Sequence, residues 1–282
     1  DESGAAYLYA WKDDHFTTLC AGSYGPLASA HDIQWEAAPN DDDAAAAAVW
    51  RPESNGFVLQ DTRTGEYVLE VLLAKQVLAD VNHLQVLSDE AYAIVNSRST
   101  NSFAKLSKAD GTVSWICGGE NGMFSLVEAD GTELPQGWTK FFGQHNTEYF
   151  GEGEYMMFDN NLNVTASGAK ERFVGGAPSR LLVLRLDEDS MVAYVEWELE
   201  LADHSCVYGD NDRLPSGNLL ATSWPLVKPA GDDAFQYDAR LFETVRATKE
   251  TAWEAFVVGQ RCEDPADGSG GCVRSADCGV PN

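Results

Sequence analysis

A strand–turn–strand unit recurs along this chain, and that repetition limits the fold more than any other property of the sequence. Four full versions are FVLQDTRTGEYVLEVLL (57–73), FAKLSKADGTVSWIC (103–117), LLVLRLDEDSMVAYVEWEL (181–199) and ARLFETVRATKETAWEAFVV (239–258), and a shorter one is YLYAWKDDHFTTLC (7–20). Each places a turn rich in Asp, Gly or Thr between flanks that alternate apolar and polar residues. That is the signature of hairpins built from half-buried antiparallel strands. Trp115, Trp197 and Trp253 stand on the second strand of their hairpins, where aromatic side chains would pack between neighbouring sheets. Helical periodicity is scarce. LLAKQVLADVNHL (72–84) reads as a short helix, and AAAAAV (44–49) has helix propensity without caps or a polar face.

A further strand precedes three of the hairpins: AYAIVNS (91–97), EYMMFDNN (154–161) and LLATSW (219–224). Units of roughly 40 to 60 residues, each with about four short strands, suit a β-propeller better than a sandwich. The expected fold is therefore all-β, with a propeller over residues 1–258 and a cysteine-containing tail over 259–282. Four units are clear and a partial one lies at the N-terminus. The chain starts at Asp1 and not at Met, which fits a processed or trimmed N-terminus. On that expectation the first blade is incomplete or missing, or residues 5–22 close the ring together with C-terminal strands.

Three of the five histidines fall at one place in the repeat. His31 (HDIQ), His83 (HLQV) and His145 (HNTE) lie 52 and 62 residues apart, and each opens a polar turn followed by a strand. Gly209 opens the fourth unit, so the repeat itself does not require a histidine. Histidines delivered once per unit would converge if the units wheel around an axis. His15 and His204 read as surface or loop residues, and Arg180 reads as a residue that stabilises blade packing.

At 282 residues and 44% hydrophobic, the chain can bury a substantial core as one domain. No apolar run approaches the roughly 18 residues that span a bilayer, so membrane insertion is not expected. A net charge of −26 argues against nucleic acid and anionic membranes as partners, because both would be repelled. The tail cysteines Cys262, Cys272 and Cys278 fit disulfides in an oxidising compartment better than zinc, for they lack a short Cys-x2-4-Cys element. Being three, they leave one to pair with Cys20, Cys117 or Cys206, to bind another chain, or to stay free. Asn163 begins the one Asn-x-Ser/Thr glycosylation sequence. Together these features point to a secreted or extracytoplasmic protein. The acidic clusters at 41–43 and 210–212 do not fit an EF-hand loop, and there is no P-loop, GxGxxG or GxSxG, so no cofactor or metal is expected.

One ordered set of motifs goes further. DVNHLQV (80–86), NSRST (96–100), KADGTVSWICGG (108–119), FFGQHNTEYF (141–150), MMFDNN (156–161), SRLLVLRLD (179–187) and DRLPSGNLL (212–220) follow one another in an order that resembles the arylsulfotransferase family, the PAPS-independent enzymes. AHDIQ (30–34) with LQDTRTGEYVLEV (59–71) is similar to the family's preceding blade. The resemblance implies a six-bladed propeller that moves a sulfuryl group from an aryl sulfate donor to a phenolic acceptor through a transiently sulfated histidine in the central funnel. On that resemblance His145 matches the nucleophile, His83 a second funnel histidine, Arg98 an active-site arginine and His31 a further histidine. Gln85 stands where the family has the Asn of His-x-Asn, and Asn146 stands where Asp or Thr commonly follows the nucleophile. Both would contact substrate.

The residue chemistry suits these roles. Neutral imidazole is a competent nucleophile that splits one hard transfer into two easier ones. A second histidine can exchange a proton with the departing phenolate or the incoming phenol. Arginine keeps its charge and grips planar sets of oxygens. The competing expectation is a non-catalytic secreted propeller that serves as an interaction module for an extracellular protein partner, motivated by Gln85, the short repeat count and the cysteine tail.

Overall fold

The computed structural model describes residues 6–12, 15–22, 33–36, 48–61, 64–87, 91–162, 178–202, 204–205, 209–224 and 238–258. Among these residues the secondary structure is all strand, with no helix. The strands are β1 (Ala6–Lys12), β2 (His15–Gly22), β3 (Gln34–Trp35), β4 (Ala48–Glu53), β5 (Gly56–Asp61), β6 (Tyr67–Leu72), β7 (Val81–Val86), β8 (Tyr92–Ser97), β9 (Ser102–Ser107) and β10 (Val113–Cys117). They continue as β11 (Ser125–Val127), β12 (Glu133–Leu134), β13 (His145–Gly151), β14 (Glu154–Asp159), β15 (Arg180–Asp187), β16 (Val192–Glu200), β17 (Asp210–Arg213), β18 (Leu219–Ser223), β19 (Asp238–Thr244) and β20 (Thr251–Val258).

Four sheets are antiparallel meanders in chain order: β3–β6, β7–β10, β13–β16 and β17–β20. The β1–β2 hairpin is separate, and β11–β12 adds to the third meander through a parallel pairing of β11 with β16. Side-chain chemistry at the turns dictates these hairpins. In the Asp-Gly-Thr turns the carboxylates of Asp110 and Asp130 accept the N–H of Thr112 and Thr132 at 3.0 and 2.9 Å. Gly111 and Gly131 supply the positive φ of 71° and 85° that such a turn needs. The same N–H groups hold both carboxyls below their usual range.

Three apolar cores lie between successive sheets. The first joins Trp50 and Phe57 to Val81, Leu84 and Val95. The second joins Phe103 and Trp115 to Tyr155, Met157 and Leu184, with edge-on ring contacts from Trp115 to Phe103 and to Phe124. The third joins Phe158 and Val183 to Leu219 and Phe242. Consecutive meanders packed face to face in this way, with first strands β7, β13 and β17 side by side, are the blades of a β-propeller. Each inner blade is covered on both faces. That is why β8, β14 and β15 are buried along nearly their whole length and not half-buried as the alternation predicts.

Other expectations also change. The predicted helix at 72–84 is the end of β6, one hydrogen-bonded turn closed by Val77 and Leu78 N–H on the Ala74 carbonyl, and then β7. A run that short cannot hold a helix when Leu78 and Val81 are drawn into different parts of a sheet core. Of the 44–49 stretch, residues 48 and 49 begin β4 and the rest lies outside the described residues. Trp115 and Trp197 do pack between sheets, Trp197 donating to the Arg246 carbonyl at 2.8 Å. Trp253, on the edge strand β20, is instead 50% exposed. Cys117 is a buried free thiol whose burial pushes its pKa up, so it is not a partner for the tail. The other cysteine positions fall outside what is described, apart from Cys20, which lies on β2.

Ion pairs between blades add directional constraint. The guanidinium of Arg246, in the β19–β20 turn, makes a bidentate pair with Glu154 at the start of β14. That bonding holds the Glu154 carboxyl below its ordinary value. A carboxyl depressed in the folded state stabilises above its unfolded pKa and loses that contribution as pH falls through the folded one. Melting curves of the wild type and Glu154→Gln should therefore separate at neutral pH and converge in the acid carboxylate range. Curves that keep a constant separation would show that the pair does not contribute in this way.

Candidate active site

The inner strands of three consecutive blades enclose a cavity of about 280 Å³. Asn82 and His83 of β7, His145 and Asn146 of β13, and Asp210 of β17 line it, with Gly209, Thr222, Ser223, Trp224 and Ala239 completing the wall. The two histidines are brought there by the same device. The pairing of β7 with β8 shifts register between Val81 and His83, and that of β13 with β14 shifts between His145 and Glu148. A bulge beside each histidine turns the inner strand and re-aims its side chains. Asn146, at φ 48°, lies within the second bulge. The β17–β18 ladder, which carries no histidine, runs without a shift. Gly209 opens that unit because nothing larger fits: a Cβ there would come 2.2 Å from Phe158 Cδ1.

Behind the histidines lies a buried polar lattice between the second and third blades. The Asn82 amide donates to the Gln144 carbonyl at 3.1 Å, and Asn96 donates to the same oxygen at 2.9 Å. Gln144 Nε2 donates to Asn96 Oδ1 at 3.0 Å and to the Ser102 carbonyl at 2.9 Å, while Thr147 Oγ1 donates to Asn96 Oδ1 at 2.6 Å. A network of this density fixes one arrangement of the inner strands, because any slip would break several buried amide hydrogen bonds at once, although Gln144 Oε1 itself has no partner among the described residues. His145 Nδ1 sits 2.7 Å from Asn160 Oδ1 and 3.2 Å from the Gly143 carbonyl. Asn146 donates to the Asn211 carbonyl at 2.7 Å, tying β13 to β17.

The approach to His145 is anchored by a buried ion pair. Asp159, fully buried, accepts from Phe142 N–H at 2.9 Å, Asn161 N–H at 2.9 Å and Arg180 Nε at 2.8 Å. Arg180 also reaches Glu198 and the Lys140 carbonyl. Burial pushes the Asp159 carboxyl up, against the pull of the Arg180 charge and the two N–H groups. Arg180 thus serves packing, as its sequence context indicates.

The sequence-derived residues separate into groups. His83, His145 and Asn146 meet at the cavity. Arg98 is not among its lining residues: it pairs through Nη1 with Asp80 Oδ2 at 3.0 Å in the turn after β8, and its buried Nε meets no acceptor among the described residues. Gln85 is also absent from the lining. Its amide donates to the Tyr149 carbonyl at 3.2 Å and accepts from Tyr149 N–H at 2.6 Å, which clamps β7 to β13. His31 and Asn163 lie outside the described residues. His204 lies on the loop before β17, as expected. Asn82, Asn160 and Trp224 escaped the sequence reading as site residues, and Asp210 was read only as part of an acidic cluster. Asn82 stands beside His83 and Asn160 within MMFDNN, so adjacency to quoted motifs was the available signal for those two. No metal-holding group of His, Cys, Asp and Glu occurs among the described residues.

Blades whose neighbouring inner strands bring His83 and His145 to one cavity define a propeller with a histidine-lined cavity. The chain matches the arylsulfotransferase (ASST) family model over residues 79–253, more than half its length, and it belongs to that family. No curated protein matches the sequence. Solved structures similar to it include Kuenenia stuttgartiensis hydrazine synthase, at 13% identity, TM-score 0.42, covering 75% of this chain and 62% of that one. Saccharomyces cerevisiae Sqt1 is similar at 10% identity and TM-score 0.43, with 92% and 57% covered. A Bacteroides caccae protein of unknown function is similar at 12% identity and TM-score 0.43, with 90% and 76% covered. The chain thus spans 62% and 57% of the first two.

Proposed function

We propose that the cavity transfers a sulfuryl group from an aryl sulfate to a phenol, with His145 as the nucleophile. The observation that carries this reading is the convergence of His83 and His145, from adjacent bulged strands, on one cavity in a chain of the arylsulfotransferase family. In the first half-reaction a lone pair of the His145 imidazole forms a bond to sulfur while the bond from sulfur to the aryl oxygen breaks, and the phenolate leaves. His83 lies on the same cavity wall and is the group to return a proton to that oxygen and later to take one from the acceptor phenol. The acceptor oxygen then bonds to sulfur as the nitrogen–sulfur bond breaks, which frees the imidazole. The amides of Asn82 and Asn146, each of which has a second N–H beyond the one given to a backbone carbonyl, line the cavity and are neutral donors suited to sulfuryl oxygens whose charge is spread over three atoms.

Arg98, outside the cavity lining, is the cation that the family resemblance brings to the reaction, and its unmatched Nε–H is a donor available to a sulfate oxygen. The acidic balance of the chain disfavours capture of an anionic donor at long range, so these neutral and cationic donors carry the recognition. Incubation with a panel of aryl sulfates and phenols should give phenol sulfate and the donor's free phenol in equal amounts. No turnover on any pair, with the chain recovered on a stable protein partner, would favour the interaction-module reading.

A further inference from the structure

We propose that Asn160 is the positioning residue of the nucleophile. Its side-chain oxygen, oriented by Ser205, holds His145 in the Nδ1–H tautomer and so leaves the lone pair on Nε2. The inference takes from the sulfuryl-transfer reading only the role of His145, and the tautomer itself can be measured without turnover.

The assignment follows from which atoms can only accept. One arm of the Asn160 amide lies 2.7 Å from the Ser205 carbonyl oxygen, an acceptor without a proton, so that arm must be the NH2 group. The other arm, 2.7 Å from His145 Nδ1, is then the oxygen. The second neighbour of Nδ1, at 3.2 Å, is the Gly143 carbonyl, which also only accepts. A ring nitrogen facing two acceptors must carry the hydrogen, and in a neutral imidazole the other nitrogen then has the lone pair. The opposite tautomer would set lone pair against lone pair in a site that water cannot relieve, since Asn160 is wholly buried.

Ser205 makes Asn160 rigid and links it to the far wall. Ser205 N–H donates to Ser179 Oγ at 2.8 Å, and Ser179 is itself fully buried. Ser205 Oγ donates to the Trp224 carbonyl at 3.1 Å and accepts from Trp224 N–H at 3.0 Å. A continuous hydrogen-bonded chain therefore runs from the imidazole on β13 through Asn160 and Ser205 to Trp224, which lines the cavity after β18. As Nε2 takes the sulfuryl group the ring becomes cationic, and a charged Nδ1–H donor bonds more strongly to Asn160 Oδ1 and to the Gly143 carbonyl. The same contact that selects the nitrogen also stabilises the ring as it reacts.

The test is nitrogen NMR on the full chain with 15N-labelled histidine, the His145 signal being identified by its loss in His145→Ala. The wild type should show a protonated Nδ1 and an unprotonated Nε2 at neutral pH, and Asn160→Leu should shift His145 toward a mixture or the Nε2–H form. An Nε2–H form in the wild type, or an unchanged tautomer in a folded Asn160→Leu, overturns the proposal. Asn160→Asp gives a second readout that a merely structural residue would not move. A carboxylate at Nδ1 raises the pKa of the imidazole, so the acid limb of the pH profile of His145 sulfation moves to higher pH. In Asn160→Leu kcat should fall about tenfold or more with little change in KM. A limb that stays in place in Asn160→Asp, or a loss confined to KM in Asn160→Leu, contradicts it.

Discussion

His145→Ala lowers sulfuryl transfer by about a thousandfold or more, as removal of a covalent nucleophile does in enzymes whose catalytic groups act as a unit. The loss appears in kcat, because the first half-reaction has no atom to receive the group. The fold survives, since His145 is one residue at the start of a strand whose neighbours are held by the Asn82, Asn96 and Gln144 lattice. Added imidazole should restore part of the rate by entering the space the side chain leaves. Full activity in the alanine variant, measured as phenol sulfate formed over time, would remove His145 from the mechanism.

Arg180→Ala should be the most destabilising single change among the polar residues near the site, at about 3–5 kcal/mol. It leaves Asp159 fully buried and without its cation, and it also releases the Lys140 carbonyl and Glu198. With the guanidinium gone, only the Phe142 and Asn161 N–H groups oppose the desolvation that drives the Asp159 pKa up. A carboxyl raised in the folded state contributes stability below its unfolded pKa and loses it as pH rises. The deficit is therefore largest at neutral pH and shrinks in acid, which urea titrations at both pH values would reveal. Replacing both partners together, as Asp159→Leu with Arg180→Met, should recover much of the loss, because the cost lies in the orphaned charge. A deficit that does not change with pH would contradict this.

The hairpins were legible because their turns announce themselves within a few residues. Asp110-Gly111-Thr112 carries both the acceptor and the positive φ that the turn requires, whereas the β11–β12 hairpin around Asp130-Gly131-Thr132, with the same turn chemistry, went unread because its strands are only three and two residues long. That His83 and His145 stand at matching places was legible from the repeat, although both lie on inner strands, β7 and β13, and not in polar turns ahead of a strand as expected. Arg180 was legible because it opens an apolar strand. What eluded the sequence depends on contacts between distant blades. The Asn160 contact to His145 spans 15 residues and its contact to Ser205 spans 45, with no periodic pattern to tie them together. Gln85 shows the reverse. Its place beside His83 suggests a substrate contact, yet the glutamine reaches the Tyr149 backbone and joins two inner strands. The helix expected at 72–84 failed because local apolar spacing cannot tell one helical turn from residues drawn into neighbouring strands.

The central claim is that sulfur becomes bonded to His145. Intact-mass analysis of the full chain, quenched after mixing with an aryl sulfate and no acceptor, tests it most directly. The account predicts one added sulfuryl group on the wild type, discharged when a phenol is supplied and absent in His145→Ala. A wild-type mass that stays unchanged while product forms, or an adduct that persists in His145→Ala, would contradict it.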